Sequence, residues 1–316
     1  LIWKRLPRPA WGLAIGLVIV LELWSVERHY IKWSPPADQL FAADDVIRAI
    51  EQGPAPSRVL ALHEAYDRKN YLMNHALREV LGYSGQELHR YDELLGGKNV
   101  WEHLFSLNEN LFKVLALDYV VVDQPIEDPR LVPATDSALY TSRGDQAFLY
   151  RYANPAPFAH LVANAVKVPD QQIIPTLLDP RFDPTRLLLV PEDSPAGASG
   201  IDSIPPRLPG TVAIAEPHAG AFEFTLEPAP AEPAYLYVAE NYYPDWRATV
   251  DGARVPVLRA QYSMMAVAVP AGARAVRLEF KSGGYAKGRI MSLAVLMALL
   301  VLLVAQGILL RRRAHG

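Results

Sequence analysis

Residues 290–310 are an unbroken apolar run in which Ser292 and Gln306 are the only polar side chains, and Arg311, Arg312 and Arg313 follow it directly. A bilayer core about 30 Å thick is crossed by about 20 such residues at helical rise, which is the length of this run. A buried helix of a soluble domain is usually shorter, carries a polar face and seldom ends in a basic cluster. The run therefore predicts a transmembrane helix that holds the rest of the chain at a membrane.

Residues 11–21 (WGLAIGLVIVL) repeat the pattern in shorter form, preceded by Pro7 and Pro9 and running into Glu22. They reach spanning length only if residues 9–26 act together, with Glu22 near an interface or against other helices. Trp11, Trp24 and Tyr30 then become interfacial aromatics. A secretory signal is the competing reading, because Lys4, Arg5 and Arg8 precede the apolar stretch, but no small-x-small cleavage site follows. The sequence opens on Leu1, and the expectation is a portion cut from a longer polypeptide with further spans ahead of it.

Basic residues set the expected orientation. Lys4, Arg5 and Arg8 ahead of the first span and Arg311 to Arg313 behind the second place both termini in the cytoplasm. Arg28, Lys32, Lys281, Lys287 and Arg289 flank the spans on the opposite side and argue the other way. Two spans put both termini on one side, and a long middle region translocates largely regardless of its charge. The expectation is a multi-pass protein of a bacterial plasma membrane with an extracytoplasmic centre.

With 51% hydrophobic residues and a formal net charge of −3, the chain is neither disordered nor suited by charge to nucleic acid. Zero cysteines exclude disulfides and thiolate metal sites. The hydropathy pattern divides the chain into five parts. Residues 1–30 hold the first span, 31–152 an α/β domain, 153–210 a proline-rich connecting segment, 211–283 a β-sandwich, and 284–316 the last span and basic tail. The fold class is thus α+β, an extracytoplasmic α/β layer followed by a β-sandwich and flanked by two transmembrane helices.

Within the α/β part, Asp44 can cap a helix carrying Val46, Ile47 and Ile50, and residues 58–62 read as a strand. Residues 72–81, 86–95 and 104–115 read as helices, and residues 119–122 and 147–152 as strands. Pro155 through Pro209 are dense enough to preclude long helices, and residues 197–203 read as a surface loop. After Gly210 the period becomes two, and residues 211–215, 221–226, 234–239, 247–250, 255–258, 264–269 and 275–280 give seven strands. Asp251-Gly252 is a hairpin signal, because a tight turn needs positive φ.

No dinucleotide or phosphate-binding glycine loop, zinc-protease helix or serine-hydrolase elbow is present in the sequence. Asp179 and Asp183 lie four apart and could flank a glycosidic bond, yet Asp-Pro is also an ordinary turn starter. His63, Glu64, His75 and His89 lack metal-ligand spacing. No metal or other cofactor is expected in this chain. The stronger candidates are the aromatic residues Tyr235, Tyr237, Tyr242, Tyr243, Trp246 and Tyr262, which with Glu240, Asn241 and Asp245 suit stacking on sugar rings. Tyr235 and Tyr237 share one strand face, so part of the group must pack inward.

Residues 240–252 (ENYYPDWRATVDG), then 255–260 (VPVLRA) and 269–272 (VPAG), resemble the C-terminal region of the bacterial YfhO-like membrane proteins. Gly82-Tyr83, Arg90-Tyr91, Leu117 to Val120 and Phe182-Asp183-Pro184 follow that family's order. Asp245 departs from it, because the family commonly has Gly there. The resemblance implies a many-spanning protein of the glycosyltransferase C superfamily that uses a polyprenyl-phosphate-linked sugar on cell-envelope glycopolymers. Its catalytic carboxylate lies in a loop upstream of the matched region, so no catalytic residue carries over and this chain alone is expected to be inactive. The implied partners are the bilayer, upstream transmembrane helices of the same protein, and an envelope glycan or polyprenyl-phosphate sugar. The implied role is positioning of acceptor. The alternatives are a non-catalytic envelope interaction or structural domain anchored by two helices, and a hydrolase using Asp179 and Asp183.

Overall fold

A computed structural model describes residues 8–31, 33–53, 56–62, 71–82, 87–197 and 203–314. Two helices lie at its ends, α1 (Arg8–Glu27) and α8 (Gly283–Ala314). Both are long and apolar enough to cross a membrane, and neither apolar stretch is buried by the other described residues. Fully burying a Leu or Val side chain is worth roughly 1.5–3 kcal/mol, so rows of such side chains left in water would cost tens of kcal/mol. Length, composition and the absence of a covering surface among the described residues fit membrane association.

The chain between them is mixed α and β. A short helix, α2 (Ala37–Leu40), precedes α3 (Asp45–Glu51), which starts where the Asp44 carboxylate accepts a hydrogen bond from the Ile47 N–H at 3.0 Å. Val46, Ile47 and Ile50 are buried, as their spacing predicts. Strands β1 (Arg58–Ala61), β2 (Arg78–Glu79), β3 (Tyr119–Val122), β4 (Leu131–Pro133) and β6 (Gln146–Tyr152) form one sheet in the order β2-β1-β3-β6-β4, and β5 (Leu139–Tyr140) also pairs with β6. The β2-β1-β3 part is parallel and β6 runs antiparallel to β3. Along β3, Tyr119 and Val121 pack with α3, whereas Val120 and Val122 join a larger core on the other face. Burial on both faces explains why this strand reads as a continuous apolar run.

Three helix expectations here are corrected. Residues 72–81 form a 3-10 turn (Leu72–His75), closed by Ala76 at φ 56°, and then β2. The segment is extended because its backbone pairs with β1, with Arg78 N–H on Ser57 O at 3.2 Å and Val80 N–H on Val59 O at 2.9 Å. Within residues 86–95 the helix is α4 (His89–Leu95), and residues 83–86 lie outside the described residues. Residues 104–115 split into α5 (Glu102–Phe105) and α6 (Glu109–Leu115). The break occurs because Leu107 is left-handed at φ 54° and Asn108 Oδ1 accepts from Asn110 N and Leu111 N. That side chain competes with the helical ladder and starts a new helix.

The proline-rich segment is more ordered than its composition suggests. It holds β7 (Ala159–Val162) and a parallel pair, β8 (Asn164–Val168) and β9 (Leu187–Pro191), joined by the nine-residue helix α7 (Asp170–Leu178) with Pro175 inside it. Strand β7 adds to the edge of a later sheet by pairing with β12 (Ala234–Asn241).

Beyond Gly210 there are eight strands, not seven, in two antiparallel sheets. One has the order β10 (Thr211–His218), β11 (Ala221–Glu227), β17 (Ala275–Phe280), β13 (Trp246–Val250), β14 (Ala253–Val255). The other has the order β15 (Val257–Ala260), β16 (Met264–Val269), β12, β7. The extra strand arises at Pro256, which lacks an N–H and divides the expected strand 255–258, so β14 belongs to the first sheet and β15 to the second. Inner residues of both sheets, among them Phe222, Phe224, Leu236, Val238, Val267 and Leu278, share one core. Asp251 (φ 46°) and Gly252 (φ 84°) make the expected two-residue turn between β13 and β14.

The core runs without interruption from the mixed sheet into these two. The Tyr237 hydroxyl on β12 donates to Val114 O of α6 at 2.6 Å. Arg78 on β2 lies between the Phe158 and Phe222 rings, 4.9 and 5.0 Å from their centroids. Its guanidinium also pairs with Glu216 at 2.6 Å and Glu240 at 2.7 Å.

Candidate functional site

The six aromatic candidates do not form one platform. Tyr237 is 1% exposed and burial raises its hydroxyl pKa, so no ring face is offered to a ligand. Tyr262, 8% exposed, donates to Glu93 Oε2 at 2.6 Å beneath the Arg90 guanidinium. Burial and the Glu93 carboxylate push its pKa up to about 12. The hydroxyl of Tyr235 donates to Gly197 O at 2.7 Å. Tyr243, 46% exposed, packs edge-on against Phe280.

Tyr242 and Trp246 do come together, in a groove of about 490 Å³ that is also lined by Pro244, Arg247, Thr249 and Arg254 and by Pro256, Arg277, Glu279 and Lys281. The register explains its chemistry. On β13 and β17 the residues Ala248, Val250, Val276 and Leu278 are buried, so the alternating positions Arg247, Thr249, Arg277 and Glu279 take the opposite face. Thr249 lies opposite Arg254 on β14, which extends the same face to the sheet edge. Four cations thus meet one carboxylate. Arg277 is paired with Glu223 at 2.8 Å and Lys281 with Glu279 at 2.9 Å. The side chains of Arg247 and Arg254 have no hydrogen-bond or ion-pair partner among the described residues and are exposed. Sequence reasoning missed them because strand arginines are ordinary on a solvated face; the signal for Arg247 was its alternation, with Thr249, against Ala248 and Val250 beside an aromatic turn.

The groove is tied to the start of α8. Lys281 N–H donates to Asp245 O at 3.1 Å, and Gly283 N–H donates to Asp245 Oδ2 at 3.2 Å. Asp245 is therefore used to hold the turn against the helix, a hydrogen bond that glycine in its place could not make. Trp246 stacks on Phe222 and meets Phe280 edge-on, which carries the aromatic packing from Arg78 toward the same helix.

The remaining candidates sit elsewhere. Asp179 is clasped by Arg181, with Nη2 at 2.6 Å, which holds its carboxyl at about 2. Asp183 accepts from Thr185 N and Oγ1 at 3.0 and 2.7 Å. Both act in turns, and Asn110 Nδ2 fastens the backbone between them through Asp179 O and Phe182 O. His63 and Glu64 lie outside the described residues; His75 is 4.0 Å from Glu51 and His89 is 3.3 Å from Glu93. No group of three potential metal ligands occurs among the described residues. A smaller cavity of about 100 Å³ at His160 and Arg207 has room for little more than water, and burial pulls the imidazole down to about 4.

No family model, no curated protein and no solved structure matches this chain.

Proposed function

We propose that the chain is a membrane-held module of the cell envelope that works by binding and positioning rather than by chemistry. The observation that carries this reading is the groove of Tyr242, Trp246, Arg247 and Arg254, built onto the strand that runs directly into α8. A binding surface joined through two residues to an apolar helix acts at the membrane face. In this reading both apolar helices span, the region between them is extracytoplasmic with its two antiparallel sheets packed as a sandwich, and both termini are cytoplasmic. The absence of native cysteine makes the test direct. Glu232→Cys, on an exposed loop, should react with a membrane-impermeant maleimide in intact cells, and Ala314→Cys only after permeabilisation. The reverse pattern overturns the orientation.

A second reading, acceptor positioning beside a glycosyltransferase centre, draws support from the likeness of residues 240–252 to YfhO-like proteins and from the two aromatics in the groove. It is weakened because Tyr235, Tyr237, Tyr243 and Tyr262 are engaged by other parts of the protein. Calorimetric titration of the full chain in detergent with envelope polysaccharides should give saturable heat that Trp246→Ala removes. Absence of heat eliminates this role and leaves the first reading intact.

A further inference from the structure

We propose that the groove is a lipid headgroup site, in which Arg247 and Arg254 take the phosphate of an anionic phospholipid in the leaflet that the start of α8 enters. The inference rests on the reading above, that α8 spans and the groove faces the membrane. Three observations lead to it.

The first is position. From Gly283 to Ile290, where the uninterrupted apolar run begins, the helix rises about 10 Å at roughly 1.5 Å per residue. The headgroup layer extends roughly 5–8 Å beyond the hydrocarbon on each side. Gly283 thus sits just outside that layer, and Glu279 and Lys281, which line the groove, lie immediately ahead of it. Trp246 and Tyr242, also in the groove lining, are of the aromatic types enriched at membrane–water interfaces.

The second is charge. Arg277 and Lys281 are paired within the protein, whereas Arg247 and Arg254 have no partner among the described residues. Glu279 lies opposite Arg247 in the ladder, but its carboxylate is engaged by Lys281. A guanidinium presents planar, parallel N–H donors that fit phosphate oxygens in pairs, and two of them at the rim of an aromatic groove form a phosphate clasp.

The third is continuity with the helix. Lys287 and Arg289 are exposed on the first turns of α8, below the groove. They continue the cationic surface toward the bilayer and explain why basic residues crowd the end of the span opposite Arg311 to Arg313. In orientation by basic residues these side chains are contrary votes; bound to headgroups, they serve the side they are on.

The test uses the full chain in a zwitterionic detergent, with phosphatidylglycerol, phosphatidylcholine, inorganic phosphate and glycerol 3-phosphate as probes and native mass spectrometry as the readout. Phosphatidylglycerol should be retained in preference to phosphatidylcholine. Arg247→Gln and Arg254→Gln should each weaken retention about fivefold, since a basic residue near an anionic surface contributes about that factor. Lys167→Gln, a remote exposed cation, should leave retention unchanged. Equal retention of the two lipids, or retention unaffected by both arginine changes, overturns the proposal. Displacement by millimolar inorganic phosphate or glycerol 3-phosphate also overturns it, by showing a site for a free anion. Failure of the underlying reading looks different: the chain would then leave the membrane in an alkaline wash, whatever its lipid preference.

Discussion

Arg78 and Arg254 both sit on edge strands, yet the protein treats them in opposite ways. Arg78 is stacked between Phe158 and Phe222, paired with Glu216 and Glu240, and only 19% exposed at its side chain. Arg254 projects from β14 into an open groove with no protein partner among the described residues. A cation enclosed by rings and carboxylates holds elements together, because removing it strands the carboxylates it neutralised. A cation that the fold leaves unpaired contributes little to folding and is available to a ligand. The junction between the mixed sheet and the antiparallel sheets is therefore closed by paired charges, whereas the outer face of β13, β14 and β17 leaves two cations open to solvent.

The largest expected effect comes from breaking the junction. Arg78→Ala removes two ion pairs and two ring contacts and leaves Glu240 half-enclosed without its partner, so it should destabilise by about 3 kcal/mol. Thermal unfolding of the full chain in detergent should show a fall of roughly 6–12 °C, taking 2–4 °C per kcal/mol for a body of this size. A shift no larger than that of a surface substitution would mean that the two parts are held by their shared apolar core alone.

Next in size is Gln261, wholly buried in the turn between β15 and β16. Its Oε1 accepts from Leu189 N at 3.2 Å, and its Nε2 donates to Pro184 O and Leu187 O at 3.0 Å each. Gln261→Ala leaves those buried backbone groups unsatisfied, so a loss of about 2 kcal/mol is expected by the same measurement. Nothing in its sequence neighbourhood distinguishes Gln261 from a solvated turn residue. The partners are more than seventy positions away, and only the fold brings β9 beside it. The Asp251-Gly252 turn and the Asp44 cap were legible because the conformation each needs is set within three or four residues. Arg78 was illegible for the reason that hid Gln261, and residues 72–81 looked helical because their apolar spacing fits either a helix or an edge strand with a turn.

Asp118 offers a pH test of the mixed sheet. Burial pushes its carboxyl up to about 6 from the usual 3.8, against the Arg58 N–H that donates to it at 2.9 Å and the charges of Arg58 and Arg151. With the folded value raised, the folded state binds the proton more tightly than the unfolded chain. Stability is then greatest below pH 4 as far as this group is concerned, and falls as pH rises through 6, by about 3 kcal/mol in all. Asp118→Asn keeps an acceptor for Arg58 N–H and carries no charge, so it should flatten that slope. Melting temperatures of the two proteins between pH 4 and 7 should diverge with rising pH, the variant being the more stable at 7. Parallel profiles would show that Asp118 stays charged across this range.

The smallest effect sharpens the comparison most. Arg254→Ala should change stability by less than about 0.5 kcal/mol, since an exposed side chain with no cap, cavity or partner carries none of the mechanisms that produce large losses. In the same preparation as Arg78→Ala, its melting curve should overlay that of the unmodified chain. A loss as large as that at Arg78 would give Arg254 a structural duty, and its exposure would no longer speak for a ligand. An unchanged fold gives the lipid measurements on the groove a clean background, because any lost retention then comes from the guanidinium itself.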